Sequence, residues 1–421
     1  LAADVLHEGH INILKIANNL GEVTVGLLTD EAIASYKKFP HLNYRQRLAV
    51  LKSIKYVKKI IPQETLDYSK NLKKLKPNFL VHGNDWKKGV QKSTRAKAIK
   101  ILKTWRGKLI EPIYTKKVSS TLIKKKITEF GTTTDIRRAK LKRLIHAKDI
   151  VRIIECHSAL SGLIIEKLNL NKNGQYLEFD GFWSSSLTDS ALRGKPDNQS
   201  VDYSTRIQGL NEIFEVTSKP LIFDADNGGR VEHIPYLVKS LERIGVSAMV
   251  LEDKVGFKRN SLFKNQEKTK QDTIQGFCKK IKISKKNRVT DDFMIVARIE
   301  SLILKKGLND ALKRAEAYSS AGADAILIHS KEKKPNEIFK FAKAFRKSKF
   351  VKPLICVPST YSSTKEQDLI KNGFKIVIYA NHLLRASYPA MLKTAETILK
   401  NRRASEADKA ITPIKEIIEL I

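Results

Sequence analysis

Two different rhythms of apolar and polar positions run along this chain. In residues 1–120 short apolar runs alternate with amphipathic stretches. His10–Leu20 has apolar residues at helical spacing and stops before Gly21, a good residue for leaving a helix. Val23–Leu28 predicts a buried strand, followed by a Thr29-Asp30 loop. Arg45–Ile54 predicts a helix and Tyr56–Ile61 a short strand stopped by Pro62. Asn78–His82 reads as a strand ending in the polar turn Gly83-Asn84-Asp85, Lys97–Trp105 as a helix and Lys108–Ile113 as a strand. This alternation predicts a small doubly wound α/β domain with a parallel sheet.

Beyond residue 120 the rhythm lengthens. The segment 126–149 predicts a junction: Gly131 and three threonines break the pattern before a basic amphipathic helix. Apolar runs then recur at Ile150–Glu155, Tyr176–Phe182, Leu221–Asp224, Ala248–Leu251, Met294–Arg298, Ala325–His329, Leu354–Val357 and Lys375–Tyr379. Most neighbouring runs are separated by a helical pattern. Eight such units predict a (β/α)8 barrel over 150–421, behind a first domain of 1–125. Polar residues gather where the strands end: Asp224 and Asp226, Glu252 and Asp253, Arg298 and Glu300, His329 and Ser330. In such barrels that rim carries the chemistry.

Charge changes the picture less than its size suggests. The 421 residues carry 79 Lys+Arg against 44 Asp+Glu, a formal net charge of +35. A nucleic-acid binder would concentrate that charge on a phosphate-reading surface. Residues 1–130 hold 27 basic and 10 acidic side chains, but the lysines are dispersed opposite apolar positions, as on a solvated helix face. No nucleic acid is expected as the main ligand. A positive field suits small anionic substrates instead. Hydrophobic residues make up 42%, enough for real cores, so disorder as the main state is excluded. Three scattered cysteines exclude a disulfide framework, no run is long enough to span a bilayer, and no secretory leader is recognisable. The expectation is a cytoplasmic, multidomain enzyme without a membrane partner.

Two constellations carry candidate chemistry. His7-Glu8-Gly9-His10 sets two imidazoles beside a helix N-terminus, with Gly9 allowing close backbone approach, an arrangement suited to phosphate oxygens. Further along, Asp224, Asp226 and Glu252 crowd carboxylates onto adjacent strand ends, the donor chemistry a hard cation such as Mg2+ selects.

Around the first constellation, ADVLHEGHINILK, TVGLLTDEAIASYKK, NYRQRLAVLKSIKYVKKIIP, HGNDWKKG and VSST follow the order and spacing of the cytidylyltransferase family, which this region resembles. The resemblance implies a nucleotidylyltransferase (Rossmann-like) domain whose first strand is not included before Asp4. It implies that His7 and His10 act at the α-phosphate of CTP, the co-substrate. Gly9, Asp85, Arg47, Ser119, Ser120 and Thr121 would bind the nucleotide, and CMP would pass to a phosphonate acceptor. Tyr114 and Lys117 depart from the family pattern, which also admits a non-catalytic nucleotide-binding module.

Residues 136–421 resemble the phosphoenolpyruvate mutase branch of the isocitrate lyase superfamily. The carriers are EFDGFWSSSLTDSALRGKPD, DADNGG, EDKVGFKRNSL, VARIESLI, ADAILIHSK, VPSTY and YANHLLRAS. This resemblance implies Mg2+ on Asp224, with Asp226 and Glu252 reaching it through water. It implies a pocket lined by Trp183, Ser185 and Leu187, and Arg298 and His329 on the phosphoryl and carboxylate groups. Asp197 would sit beside the migrating phosphoryl group, and Lys258, Asn260, Ser261 and Leu262 would lie on a closing loop. The loop lacks the cysteine of the lyase branch, so lyase chemistry is not expected. Phosphoenolpyruvate would be isomerised to 3-phosphonopyruvate; phosphonopyruvate hydrolysis is the rival, and a homo-oligomer, a tetramer by resemblance, is implied.

Overall fold

The computed structural model describes the chain except residues 88–90, 114–130, 173–174, 257, 262–268 and 421. It divides into two compact units. One comprises 1–130 with 146–148 and 169–178; the other comprises 131–145, 149–168 and 179–421. The segment 131–145, placed in the junction by its sequence, groups with the second unit.

The first unit opens with the helix Glu8–Asn18 and strand β1 (Thr24–Leu28). Strand β2 (Lys59–Gln63) lies parallel to β1, pairing Leu27 with Pro62. Pro62 therefore sits inside the strand rather than stopping it. β2 pairs only with β1 among the described residues, and an edge strand tolerates the missing N–H. β3 (Phe79–Val81) and β4 (Lys108–Ile110) form a second parallel pair. The parallel pairing expected from the sequence is present, as two two-stranded sheets. Leu1 extends the first at its other edge: its amine donates to Gly26 O at 2.7 Å and its carbonyl accepts from Leu28 N at 3.0 Å. Separate apolar clusters stand on each pair, Leu14, Val25, Leu27 and Leu51 on one, Leu72, Trp86, Ala98 and Leu102 on the other.

The second unit is a closed eight-stranded parallel barrel. Its strands begin with β5 (Val151–Glu155). In the chain, β8 (Gly181–Ser184) follows a short antiparallel hairpin, β6 (Leu170–Lys172) and β7 (Gln175–Leu177), that groups with the first unit. There follow β9 (Leu221–Asp224) and β10 (Ala248–Glu252). β11 (Lys254–Val255) and β12 (Lys270–Gln271) form an antiparallel stem, and β13 (Met294–Ile299), β14 (Ala325–Ile328), β15 (Leu354–Cys356) and β16 (Phe374–Tyr379) complete the series. The barrel closes in the order β5-β8-β9-β10-β13-β14-β15-β16. The apolar run Tyr176–Phe182 thus covers the end of a hairpin and the start of a barrel strand, not one strand.

Local chemistry sets the helices between them. Asp202 accepts Thr205 N at 3.0 Å to start the helix Tyr203–Glu215, and Thr273 accepts Gly276 N at 2.9 Å to start Ile274–Asn287. The helix Ile234–Ile244 has Pro235 in its first turn and ends on Gly245 at φ +93°. A Cβ there would stand 3.0 Å from Thr134 Cα, so glycine also permits the close approach. The core is continuous from Ile154 and Phe182 to Phe341 and Val377. At 2% exposure, Arg137 is satisfied by the carbonyls of Phe214, Thr217 and Lys219 and by the Phe214 ring, which fixes the helix Thr134–Ala147 to the barrel unit. No helix of the described residues is long and apolar enough to cross a membrane.

Candidate active site

At the C-terminal ends of the barrel strands a cavity is lined by Trp183, Ser185, Ser186, Leu187, Asp197, Asp224, Glu252, Lys258, Asn260, Ser261, Arg298, His329 and the β15 and β16 ends. The strands hold the first contributors rigidly: Trp183 on β8, Asp224 on β9, Glu252 on β10 and Arg298 on β13. Register places Glu252 beside Arg298 and Val250 beside Asp224. Parallel strands of one barrel thus bring to one mouth residues that stand far apart in the chain.

One side of the cavity is a clamp from the segment after β11. Asn260 donates its amide to Asp197 Oδ2 at 2.8 Å, and Lys258 pairs with Asp197 Oδ1 at 2.8 Å. Lys258 also contacts Asp226 and the Ser186 hydroxyl. Burial opposes its charge, but Asp226, Asp224 and Asp197 together hold its ammonium well above the usual lysine range. Ser186, in turn, donates to Asp224 Oδ2 at 2.8 Å.

The other side is a buried polar knot. Arg298 donates through Nε to Glu300 Oε1 at 2.6 Å and meets Ser261 Oγ and His329 Nδ1, each at 2.9 Å. Desolvation, with Arg298 beside it, lowers the imidazole of His329 below its ordinary value. His329 Nδ1 lies between Arg298, which only donates, at 2.9 Å and Glu300 Oε1, which only accepts, at 3.2 Å; the shorter contact makes Nδ1 the acceptor and leaves Nε2–H as a donor. Burial alone would raise Glu300, yet Arg298 and Lys254 hold its carboxyl well below the usual range.

Three carboxylates test the fit to a divalent cation. Among the described residues no three His, Cys, Asp or Glu side chains converge as a metal cage. Mg2+ is commonly held by one or two carboxylates together with water and substrate oxygens, so a cage is not required. Asp224 and Glu252 line the cavity and suit that arrangement. Asp226 does not line it; its φ of +49° and its contacts to Lys258 and to Arg206 (3.7 Å) turn it into a brace. Burial pushes Glu252 up to about 7, against the pull of Lys254 and Arg298. A cation would favour its charged form.

Several lining or supporting residues were not singled out by the sequence. Ser186 orients Asp224, and Arg206 donates to Asp189 Oδ2 at 2.7 Å and to Asp224 O at 2.6 Å beneath it. Asn381, only 7% exposed, lines the cavity with an unpartnered Oδ1. YANHLLRAS flagged its neighbourhood, but no local pattern marks that side chain. Leu262 lies outside the described residues.

In the first unit His7 caps the helix Glu8–Asn18. Its Nδ1 accepts Gly9 N at 3.2 Å, and His10 Nδ1 lies 3.4 Å from His7 N. The two rings stand 4.0 Å apart, and His7 Nε2 is buried without a partner. Desolvation lowers both, His10 to about 4, so the rings are neutral near pH 7. Asp85 sits in the turn Asn84–Lys87, 3.8 Å from His82 Nδ1, where Trp86 stacks on His82 at 3.8 Å. Arg47 differs from the expectation of a nucleotide contact. It is fully buried, donating to the carbonyls of Ala2, Leu28 and Leu42 and to Asp30 at 2.6 Å. Its fork is committed to positioning the turn after β1. Ser119, Ser120, Thr121, Tyr114 and Lys117 lie outside the described residues.

A parallel eight-stranded barrel with an acidic, arginine- and histidine-lined mouth, preceded by a small parallel α/β unit, defines a class of two-part α/β enzymes. Residues 141–399 match the phosphoenolpyruvate phosphomutase family and residues 2–139 the cytidylyltransferase-like family. The chain belongs to the phosphoenolpyruvate phosphomutase family and carries an N-terminal cytidylyltransferase-like domain. It is 36% identical over 285 residues to a phosphoenolpyruvate phosphomutase of Tetrahymena pyriformis, covering 68% of this chain and 91% of that one. A phosphonopyruvate hydrolase of Variovorax sp. (strain Pal2) is 36% identical over 244 residues, 58% of this chain and 83% of that one. Among solved structures, a phosphoenolpyruvate phosphomutase from Streptomyces platensis subsp. rosaceus is similar with TM-score 0.62 and 33% identity, covering 67% of this chain and 94% of that one. A phosphonopyruvate hydrolase complex with oxalate and Mg2+ has TM-score 0.60 and 32% identity over 68% of this chain and 94% of that one.

Proposed function

We propose that the barrel isomerises phosphoenolpyruvate to 3-phosphonopyruvate and that the N-terminal domain transfers CMP from CTP to a phosphonate, making the chain a bifunctional enzyme of phosphonate biosynthesis. In the barrel reaction the bond between phosphorus and the enol oxygen breaks, a bond from phosphorus to the methylene carbon forms, and the enol oxygen becomes a ketone. The phosphoryl group passes through a loose, metaphosphate-like arrangement that water must not reach.

The observation that carries this reading is the state of Asp197. Its Oδ2 accepts from the Asn260 amide and its Oδ1 is ion-paired with the Lys258 ammonium. A carboxylate so committed is poorly placed to deprotonate a water, which favours transfer within the substrate over hydrolysis. Arg298 and His329 Nε2–H supply donors to phosphoryl and carboxylate oxygens, while Trp183, Ser185 and Leu187 close the wall. Asp224, with Glu252, would hold Mg2+, which when bound neutralises charge on the substrate oxygens. In the other unit His7 and His10 would stabilise the α-phosphate of CTP, with Gly9 allowing close backbone approach and Asp85 on the nucleotide. The unpartnered His7 Nε2 supports that assignment.

Phosphoenolpyruvate with Mg2+ and an enzyme that consumes phosphonopyruvate should yield a carbon–phosphorus resonance by phosphorus NMR. Separately, CTP with a panel of phosphonates should release pyrophosphate. No release with any acceptor would leave the N-terminal domain a binding module.

A further inference from the structure

Lys254 is a buried cation that the residue roles above leave unused. It is 2% exposed and sits on β11, whose antiparallel pairing with β12 fixes it at the base of the segment that carries Lys258, Asn260 and Ser261. The stem is tied down from below. Gln271 donates to Asp253 Oδ2 at 2.8 Å and to Ser301 Oγ at 3.0 Å, Asp272 N to Asp253 O at 2.8 Å, and Tyr318 and Arg314 donate to the same Asp253 oxygen. Lys254 is therefore a fixed post.

From that post its ammonium reaches forward. It donates to Arg259 O and to Ser261 Oγ, both at 2.9 Å, and lies 3.5 Å from each of Glu252 and Glu300. Ser261 passes the connection on, donating to Glu300 Oε2 at 2.6 Å and accepting from Arg298 at 2.9 Å. One lysine thus joins the backbone of the covering segment to the knot that orients Arg298 and His329. Lys258 and Asn260 hold the segment through Asp197 on the opposite side of the cavity.

We propose that Lys254 is a positioning residue that latches the 258–261 segment through Arg259 O and the Ser261 hydroxyl, so that cavity closure and the placement of Arg298 occur together. This rests on the mutase reading. Without the latch the segment opens more often, and water competes with the methylene carbon for the phosphoryl group. Water attack on phosphorus releases inorganic phosphate; the enol left behind takes a proton at carbon and becomes pyruvate.

The test uses the full chain, Lys254→Met, which keeps the length of the side chain and removes its donors, and Ser261→Ala. Hydrogen–deuterium exchange of the 254–261 segment reads the latch whatever the barrel catalyses. About tenfold faster exchange is expected in Lys254→Met, the effect of a lost charge-assisted hydrogen bond. Phosphorus NMR then reads the ratio of phosphonopyruvate to inorganic phosphate from phosphoenolpyruvate, with the ratio expected to fall in both variants and kcat to fall more than KM rises. If Lys254→Met does not fold, Ser261→Ala decides by the same two readouts. Unchanged exchange and an unchanged product ratio in a folded variant overturn the latch. If the unsubstituted chain forms no phosphonopyruvate, the mutase reading fails, while the exchange measurement still judges the latch.

Discussion

Replacing Glu300 by glutamine separates the roles of charge and shape in the knot behind Arg298. Glu300 has no exposed surface and accepts from Arg298 Nε at 2.6 Å and Ser261 Oγ at 2.6 Å. Breaking a buried ion pair by removing one partner costs about 3–5 kcal/mol when the other charge is stranded. Here Arg298 keeps Glu252 at 3.5 Å, and a glutamine carbonyl still accepts one bond. The expected stability loss is therefore nearer the cost of one charged hydrogen bond, about 1.5–3 kcal/mol. At a few degrees of Tm per kcal/mol, the barrel remains folded at 25 °C. Activity should suffer more visibly. The Nε–carboxylate bond fixes the plane in which the guanidinium meets His329, and losing about 1.5–3 kcal/mol of that orientation in the transition state lowers kcat roughly 10- to 150-fold. Glu300→Leu, which offers Arg298 no acceptor, should lower Tm further than Glu300→Gln. Steady-state kinetics beside a thermal melt check both effects. A folded Glu300→Gln chain with kcat within about twofold of the parent refutes the assigned orientation role.

Two further outcomes follow from the charges. His10 is held near pKa 4, whereas an imidazole in the unfolded chain titrates at about 6.5. The unfolded state thus binds a proton that the folded state refuses, so stability of the N-terminal unit falls as pH drops from 6.5 toward 4. Urea midpoints across that window should show the slope. His10→Gln should flatten it in part, with His7 contributing in the same direction; an unaltered slope contradicts the assignment. For the cation, Mg2+ added to chelator-treated protein at about 100 times its Kd should stabilise the barrel by about 2.7 kcal/mol, visible as a raised Tm. Asp224→Asn should abolish that shift, and an equal shift in the variant places the ion elsewhere.

The barrel was legible because a strand buried on both faces reads as an unbroken apolar run, as Leu221–Phe223 and Met294–Ala297 do. The run Tyr176–Phe182 misled for the same reason: apolarity marks burial, and a hairpin end and a strand start can share it. Pro62 misled because a proline excludes central strands but not edges. The lining of the cavity was legible where motifs name a strand end, as with Asp224, Arg298 and His329. Glu300 was visible only as part of the polar rim. Its partner Ser261 is 39 residues away in sequence, and the Lys254 contacts depend on how the covering segment folds back. Asp226 shows the converse: two carboxylates at i and i+2 suggest one metal, but a positive φ at the second turns it toward Lys258 and Arg206.

The central claim is transfer of phosphorus within the substrate rather than to water. Phosphonopyruvate incubated with the full chain and Mg2+, followed by phosphorus NMR, tests it most directly. The carbon–phosphorus resonance is expected to give way to the enol-phosphate resonance of phosphoenolpyruvate, with little inorganic phosphate. Inorganic phosphate and pyruvate as the only products would contradict it and make the barrel a hydrolase.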